Sequence, residues 1–250
     1  MSTYRIENCA GSAESARRAE LGGAYRVELC AGLPEGGTTP SYGEILTARR
    51  AISIKLNVII RPRSGDFLYT PIEVEAMLAD IRMARELGAD GIVVGCLTAD
   101  GAVDKPLLRR FVEAAEGLPV TFHRAIDVCH DRAQALEDII EAGCARVLTS
   151  GGAASAPEGA DAIAALVKQA AGRIIIMPGA GVTPENVADL ARKTGAQEFH
   201  FSGRTAEPSP MRYRHEGVSM GGTVTIDEYA YLFTDPKKIR QAVEALQALE

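Results

Sequence analysis

The sequence predicts a single (β/α)8 barrel, or TIM barrel, because short β-rich runs alternate with longer helical patterns eight times along its 250 residues. The helical patterns carry apolar residues three and four positions apart, as at Val74, Met77 and Ile81. A doubly wound sheet would usually have a Gly-rich dinucleotide turn after the first strand, where this chain has Cys9-Ala10-Gly11-Ser12. No stretch rich in Pro, Gly and Ser divides the chain, so residues 1–250 are predicted to form one domain.

Each of the eight predicted strands is a short β-rich run that precedes a helical pattern. The predicted strands are 5–9, 25–30, 55–61, 91–95, 120–123, 146–149, 173–177 and 197–201. Glycines at 22–23, 88, 143 and 195 end helical patterns just before the second, fourth, sixth and eighth strands. Residues 205–225 are expected to form an irregular excursion before a last helix near 235–249.

Composition limits the class of protein. The chain is 46% hydrophobic and 24% charged, which excludes a disordered segment, and no apolar run approaches the roughly 18–20 residues of a membrane span. A net charge of −6 disfavours a dedicated nucleic-acid binder. The five cysteines form no Cys-x-x-Cys pair, and the N-terminal residues lack an apolar signal core. We therefore expect reduced thiols and a cytoplasmic location.

The first two predicted strands share the pattern Glu-x-Cys-Ala-Gly, at Glu7 to Gly11 and at Glu28 to Gly32. Because side chains alternate along a strand, Glu7 and Cys9 share one face, as do Glu28 and Cys30, and we expect all four to point into the barrel. The two carboxylates could serve as acid and base, one of them with a raised pKa, and the two thiols could bind a soft ion such as Cu(I). Alternatively, the thiols fill core space and the carboxylates pair with Arg.

Two arginines follow the third predicted strand. Arg61 and Arg63 lie two positions apart around Pro62 and precede a Gly turn, so they could clamp a carboxylate or a phosphate bidentately. The alternative is that Arg61 neutralises Glu28 inside the barrel.

The fifth predicted strand ends in the run His123, Arg124, Ala125, Ile126, Asp127. His123 at a strand end is a candidate general acid or base, and Asp127 could orient either His123 or Arg124. Arg124 is a further candidate anion ligand.

Small residues follow the sixth, seventh and eighth predicted strands. In TIM barrels the loops after strands seven and eight often bind phosphate through exposed backbone N–H groups. The candidate anion ligands here are Ser150, Gly179, Gly181, His200 and Ser202. The alternative is that these glycines only permit tight turns.

Eight motifs, in this order, resemble the copper homeostasis protein CutC family from end to end. They are Glu-x-Cys at 7–9, Arg-Val-Glu-Leu-Cys at 26–30, Glu-Gly-Gly-x-Thr-Pro at 35–40, Ile-Arg-Pro-Arg-x-Gly-Asp-Phe at 60–67, Thr-Phe-His-Arg-Ala-Ile-Asp at 121–127, Leu-Thr-Ser-Gly at 148–151, Gly-Ala-Gly-Val at 179–182 and Ser-Pro-Met-Arg-Tyr-Arg at 209–214. The resemblance implies a cytoplasmic, oligomeric (β/α)8 barrel proposed to bind Cu(I) through two cysteines, which match Cys9 and Cys30. Bacterial members often have two adjacent Cys at the end of strand one, whereas Ala10 follows Cys9 here, which leaves a soft-metal site one thiolate fewer.

Two hypotheses for function follow. The first is a Cu(I)-binding copper homeostasis protein that uses Cys9 and Cys30. The second is an isomerase, lyase or hydrolase of a small phosphorylated or carboxylated metabolite, with Glu and His acid–base groups and Arg anion ligands. We expect a homo-oligomer, dimer or tetramer, with residues 211–215 at the subunit contact, and neither a membrane nor a nucleic acid as partner.

Overall fold

Eight parallel strands form the centre of the protein. The structure is a computed structural model that describes residues 3–215, 217, 218, 220 and 226–250. Each strand of the central sheet pairs with the next from the first to the seventh, and the eighth pairs with the first. The eighth strand also lies against the seventh, so the sheet forms a nearly closed barrel. The (β/α)8 prediction is therefore confirmed.

Every predicted barrel strand is present, with ends within two residues of those expected. The strands are β1 (Arg5–Ala10), β2 (Arg26–Leu29), β3 (Lys55–Ile59), β4 (Gly91–Val94), β5 (Val120–Phe122), β6 (Arg146–Thr149), β7 (Ile175–Pro178) and β8 (Glu198–Phe201). The helices are α1 (Ala13–Leu21), α2 (Tyr42–Ala51), α3 (Pro71–Glu86), α4 (Lys105–Ala114), α5 (Arg132–Glu141), α6 (Ala160–Ala170), α7 (Val187–Thr194) and α8 (Pro236–Gln247). Among the described residues, no helix is long and apolar enough to cross a membrane.

The segment between β8 and α8 is more regular than the sequence suggests. Two strands, β9 (Arg204–Pro208) and β10 (Ala230–Thr234), pair antiparallel, whereas residues 205–225 were expected to be irregular. Because more than twenty residues separate the two strands, no tight hairpin signal marks them in the sequence. Arg18 of α1 binds Glu207 and covers the ring of Phe233, which fastens the pair to the barrel. Positions 216, 219 and 221–225 of the predicted excursion lie outside the described residues.

A buried ionic layer fills the barrel interior below the carboxyl ends of the strands. Arg26 binds the carboxylates of Glu7 and Glu198, the latter at 2.7 Å, and Arg146 Nε lies 2.6 Å from Glu198 Oε2. Burial alone would raise the pKa of Glu198, but Arg26 and Arg146 together lower it, so this carboxylate stays charged. The Arg partner expected for Glu7 under the structural alternative is thus Arg26.

Glu198→Gln tests how far the fold depends on this layer. The change removes one buried charge with little change of shape and leaves Arg146 without its carboxylate. We expect the free energy of unfolding in urea to fall by about 3 kcal/mol, because a buried ion without its partner is strongly destabilising. Asp189→Asn is the control, since it breaks an exposed pair with Arg192 and should cost less than about 1 kcal/mol. Equal effects of the two changes would contradict the assigned role.

Candidate functional site

A cavity of about 510 Å³ opens at the carboxyl ends of the barrel strands, where TIM barrels place their sites. We call it the rim cavity. Its lining residues include Cys9, Glu28, Cys30, Leu33, Ile59, Arg61, Phe67, His123, Arg124, Leu148, Ala180, Gly181, Val182, His200, Phe201, Ser202 and Arg204. Most of the predicted site residues therefore share one cavity.

Two thiols lie side by side in this cavity. Cys9 Sγ and Cys30 Sγ are 3.9 Å apart. Cys9 lies in β1, and Cys30 directly follows the neighbouring strand β2. The bond from Cys30 lowers the pKa of the Cys9 thiol well below its usual value, against the effect of burial and with a further contribution from His200. The same bond and burial raise the pKa of Cys30 well above its usual value. Cys9 is therefore the more acidic thiol of the pair.

Position 10 lies on the other face of β1. Ala10 is fully buried in the apolar cluster that includes Ala13 and Ala16 of helix α1. A cysteine at this position would point towards the helices, because side chains alternate along a strand. The Ala at position 10 therefore removes no thiolate from the rim cavity, contrary to the sequence-based expectation.

His200 joins the thiols to two carboxylates. Its Nδ1 lies 2.8 Å from Glu7 Oε1, and its Nε2 lies 3.6 Å from Glu28 Oε2. The register explains the first contact, because Glu7 of β1 pairs with His200 of β8. Burial would lower the pKa of His200, but hydrogen bonds to Cys9 and Glu7 raise it well above its usual value. His200, predicted to bind an anionic ligand, is thus held by the protein's own anions.

The two predicted acid–base carboxylates differ in charge. Burial would raise the pKa of Glu7, but Arg26 and His200 hold it well below its usual value, so Glu7 is ionised. Burial raises the pKa of Glu28 to about 8, with Cys9 and Glu7 adding to the rise and His200 opposing it. Glu28 is therefore protonated at neutral pH, and it is the carboxylate with the raised pKa that the sequence allowed for.

The two arginines that were predicted to form a clamp bind different groups of the protein. Arg61 is buried at the rim cavity, where its Nη atoms donate to the carbonyl oxygens of Glu35, Gly37 and Gly65 rather than to Glu28. Arg63 lies outside the rim cavity, in ion pairs with Asp66 and Glu73. Strand β3 ends before both residues, so the side-chain alternation of a strand does not place them on one face.

His123 lines the rim cavity from the end of β5. Its Nδ1 accepts a hydrogen bond of 3.2 Å from the backbone N–H of Ala125, and its ring centroid lies 4.9 Å from that of Phe67. The absence of a side chain at Gly95 makes room for the ring, since a Cβ there would lie 2.2 Å from His123 Cε1. His123 is thus fixed in place without the help of Asp127.

Asp127 organises the loop after β6. Its carboxylate accepts from Arg124 Nε and Ser150 N, both at 2.9 Å, and from Gly152 N at 3.0 Å. Of the two roles predicted for Asp127, the geometry fits orientation of Arg124. Ser150 Oγ accepts from Arg124 Nη2 and has its single proton available for either Ala153 O or Asp127 Oδ2, and the residue is fully buried.

The turns after β7 and β8 form part of the cavity wall. Gly181 adopts a φ of +71°, and Ala180 has a φ of +72°, a conformation that residues other than glycine rarely adopt. Gly179 faces inward, where a Cβ would lie 2.5 Å from Leu148 Cδ1. Ser202 lines the cavity, and its carbonyl oxygen accepts from Asn8.

Sequence reasoning missed three contributors to this region. Arg204, the first residue of β9, lines the cavity just before the segment expected to be irregular, and Phe67 stood in a motif without being assigned a role. Arg26, which holds Glu7, precedes the cysteine pattern by only two positions. The sequence could have indicated Arg26, because strand alternation places it on the same inward face of β2 as Glu28.

Comparison with known proteins assigns the family. The model of the CutC family matches residues 4–205. A CutC family protein of Bacteroides thetaiotaomicron is 56% identical over 249 residues, covering 99% of this chain and all of the relative. The human copper homeostasis protein cutC homolog is 48% identical over 237 residues, covering 95% of this chain and 87% of the relative.

Solved structures agree with this assignment. The crystal structure of a CutC protein from Streptococcus agalactiae is 36% identical, has a TM-score of 0.77, and covers 80% of this chain and 98% of that one. Thiamine phosphate pyrophosphorylase from Pyrococcus furiosus has a TM-score of 0.62 at 12% identity and shares the fold alone, over 99% of this chain and 98% of its own. On the family model and these relatives together, the chain belongs to the CutC family.

Proposed function

We propose that the protein binds Cu(I) between Cys9 and Cys30 and acts in copper homeostasis. The observation that carries this proposal is the 3.9 Å separation of the two sulfurs. Soft thiolates select Cu(I), and two metal–sulfur bonds of about 2.3 Å, the length known for Zn, allow sulfurs up to about 4.6 Å apart. One ion therefore fits between the thiols with little movement of either strand.

The residues around the two thiols also support the binding of Cu(I). Cu(I) held by two thiolates carries a net charge of −1. Because the pKa of His200 is raised well above its usual value, its protonated ring next to Cys9 balances this charge. Glu28, with its pKa near 8, adds no second negative charge at neutral pH. Ile59, Val93 and Leu33 pack around Cys30 and give the ion an apolar floor. Such a shell limits solvent access to a bound metal.

The enzyme alternative receives less support from the same geometry. In this alternative the acid–base groups would be Glu7, Glu28 and His123, and such groups work best with a pKa near the operating pH, whereas burial lowers the pKa of His123 to about 3. Glu7 is committed to Arg26 and His200, so of the two predicted carboxyl groups Glu28 alone has a pKa near neutral. The names of the relatives also favour copper homeostasis.

Two further expectations remain proposals. All five cysteines are free, which supports a cytoplasmic location.

Exposed apolar side chains on and beside the β9–β10 pair, at Met211, Tyr213, Tyr231 and Leu232, support a homo-oligomer. Sedimentation velocity on the protein and on Leu232→Glu measures the oligomeric state, and an unchanged monomeric mass in both would contradict a subunit contact here.

Substituting both thiols tests the copper proposal. Cys9→Ser/Cys30→Ser should lower Cu(I) affinity by more than about 100-fold, because hydroxyl groups are poor ligands for a soft ion. The measurement is an anaerobic titration against a competing Cu(I) chelator. Cys144→Ser is the matched control, since Cys144 is buried away from the rim cavity and should leave the affinity unchanged. An unchanged affinity in the double variant would refute the proposal.

Replacing His200 tests the role of the neighbouring cation. His200→Gln keeps a polar side chain but removes the positive charge next to Cys9, so we expect the Cu(I) affinity to fall by about 10–100-fold. His123→Phe, on the other side of the cavity, should change it less than about threefold. The same chelator competition measures both, and circular dichroism confirms that each variant is folded. Equal losses in the two variants would contradict a specific role for His200.

A further inference from the structure

We propose that the rim cavity contains a second ligand site, formed by Arg61 and His123, that binds the carboxylate of a small organic acid with an apolar body. Arg61 and His123 follow β3 and β5, whereas Cys9 lies in β1 and Cys30 directly follows β2, the neighbour of β3. The site uses donors other than the two thiols of the same cavity, so it does not depend on copper binding.

His123 presents a hydrogen-bond donor that no described residue accepts. Its Nδ1 accepts from Ala125 N, and burial together with Arg61 lowers the pKa of His123 to about 3, so the ring is neutral. A neutral imidazole that accepts at Nδ1 carries its proton at Nε2. This Nε2 is buried and has no hydrogen-bond partner among the residues that the structure describes. Buried donors are nearly always paired, so the orphaned N–H indicates a missing acceptor.

Arg61 is a buried cation without an anionic partner. Its three hydrogen-bond acceptors are the backbone carbonyl oxygens of Glu35, Gly37 and Gly65, and none of the ion pairs of the described residues includes it. Its Nε is also buried and without an acceptor. Arg is rarely buried unless it is paired with a negative charge. Here both the charge and one donor are left for a ligand.

The two orphaned donors belong to one local arrangement. The ring of Phe67 contacts both side chains, with its centroid 4.9 Å from that of His123 and 5.2 Å from Arg61 Cζ. Phe67 is only half buried, and it lines the rim cavity together with the other two. Because both N–H groups are buried, a ligand reaches them only when side chains around them shift, and such side-chain changes are common on binding.

The charge and shape of this wall select the class of ligand. On this wall Arg61 offers one uncompensated charge and His123 one neutral N–H, which match the single charge and two oxygens of a carboxylate, since Asp127 already neutralises Arg124 and the charge of Arg204 acts on Cys9. Leu33, Leu148, Val182 and Phe201 provide apolar surface for the rest of the molecule. The volume of about 510 Å³ lies within the usual range for small-molecule sites.

Titration calorimetry on the copper-free full-length protein tests this site with benzoate, benzamide and inorganic phosphate as probes. Benzoate and benzamide have nearly the same shape and differ in charge, so we expect benzoate to bind at least about tenfold more tightly. Phosphate should bind more weakly than benzoate, because it lacks the apolar body. Equal affinity for benzoate and benzamide would overturn the proposal, and tighter binding of phosphate would overturn the assignment to a carboxylate.

Two variants distinguish this site from the copper site. His123→Phe keeps a ring against Phe67 but removes the donor, and it should weaken benzoate binding by about tenfold while leaving Cu(I) binding in place. Cys9→Ser/Cys30→Ser should do the opposite, losing Cu(I) and keeping benzoate affinity within about twofold. Loss of benzoate affinity in the cysteine variant alone would refute an independent site.

A measurement on the unaltered protein guards against misfolding of the variant. The ¹⁵N resonance of His123 Nε2 should shift when benzoate is added, because the N–H gains an acceptor. No shift at saturating benzoate would refute a bond to His123.

Discussion

The carboxylate of Glu7 is the junction on which the interior of the barrel depends. One of its oxygens accepts from Arg26 and the other lies 2.8 Å from His200 Nδ1. Arg26 belongs to the ionic layer below, and His200 belongs to the site above. Together with Cys9, this anion raises the pKa of His200, and His200 in turn adds to the lowering of the Cys9 pKa that the bond from Cys30 mainly causes. A structural ion pair and the chemistry of the cavity are therefore coupled through a single side chain.

Burying so many charges is costly, and the pairing pattern shows how the protein limits that cost. Glu7, Arg26, Arg146 and Glu198 satisfy one another, so desolvation is offset by several short contacts instead of one. Arg61 differs from Arg26 and Arg146, because it donates its hydrogen bonds to carbonyl oxygens, which do not neutralise its charge. The imbalance lies on the wall of the cavity and not in the layer beneath it. A ligand can therefore correct it.

The sequence was sufficient for the barrel because period-two strands and helical patterns are local signals. Alternation also placed Glu7, Cys9, Glu28 and Cys30 on the inner face correctly, since all four lie within or directly after regular strands. The spacing of Arg61 and Arg63 did not place Arg63 in the rim cavity, because β3 ends at Ile59, before both arginines. The partners in the ionic layer could not be read from local patterns, since Arg26 and Glu198 are 172 positions apart.

The chemical type of the side chains on the inner face of the barrel changes every two residues along β1 and β2. On β2 and just beyond it, inward positions run from Arg26 to Glu28 to Cys30, and the neighbouring β1 runs from Glu7 to Cys9. Moving towards the rim, the side chains pass from permanently charged, through titratable, to soft and polarisable. This order follows from the cost of removing a charge from water. The deepest charged groups must be fully paired within the protein, whereas groups at the rim can be solvated until a ligand binds. The two thiols thus lie at the rim, where we propose that Cu(I) binds, and the charged residues Glu7 and Arg26 precede Cys9 by two positions and Cys30 by four.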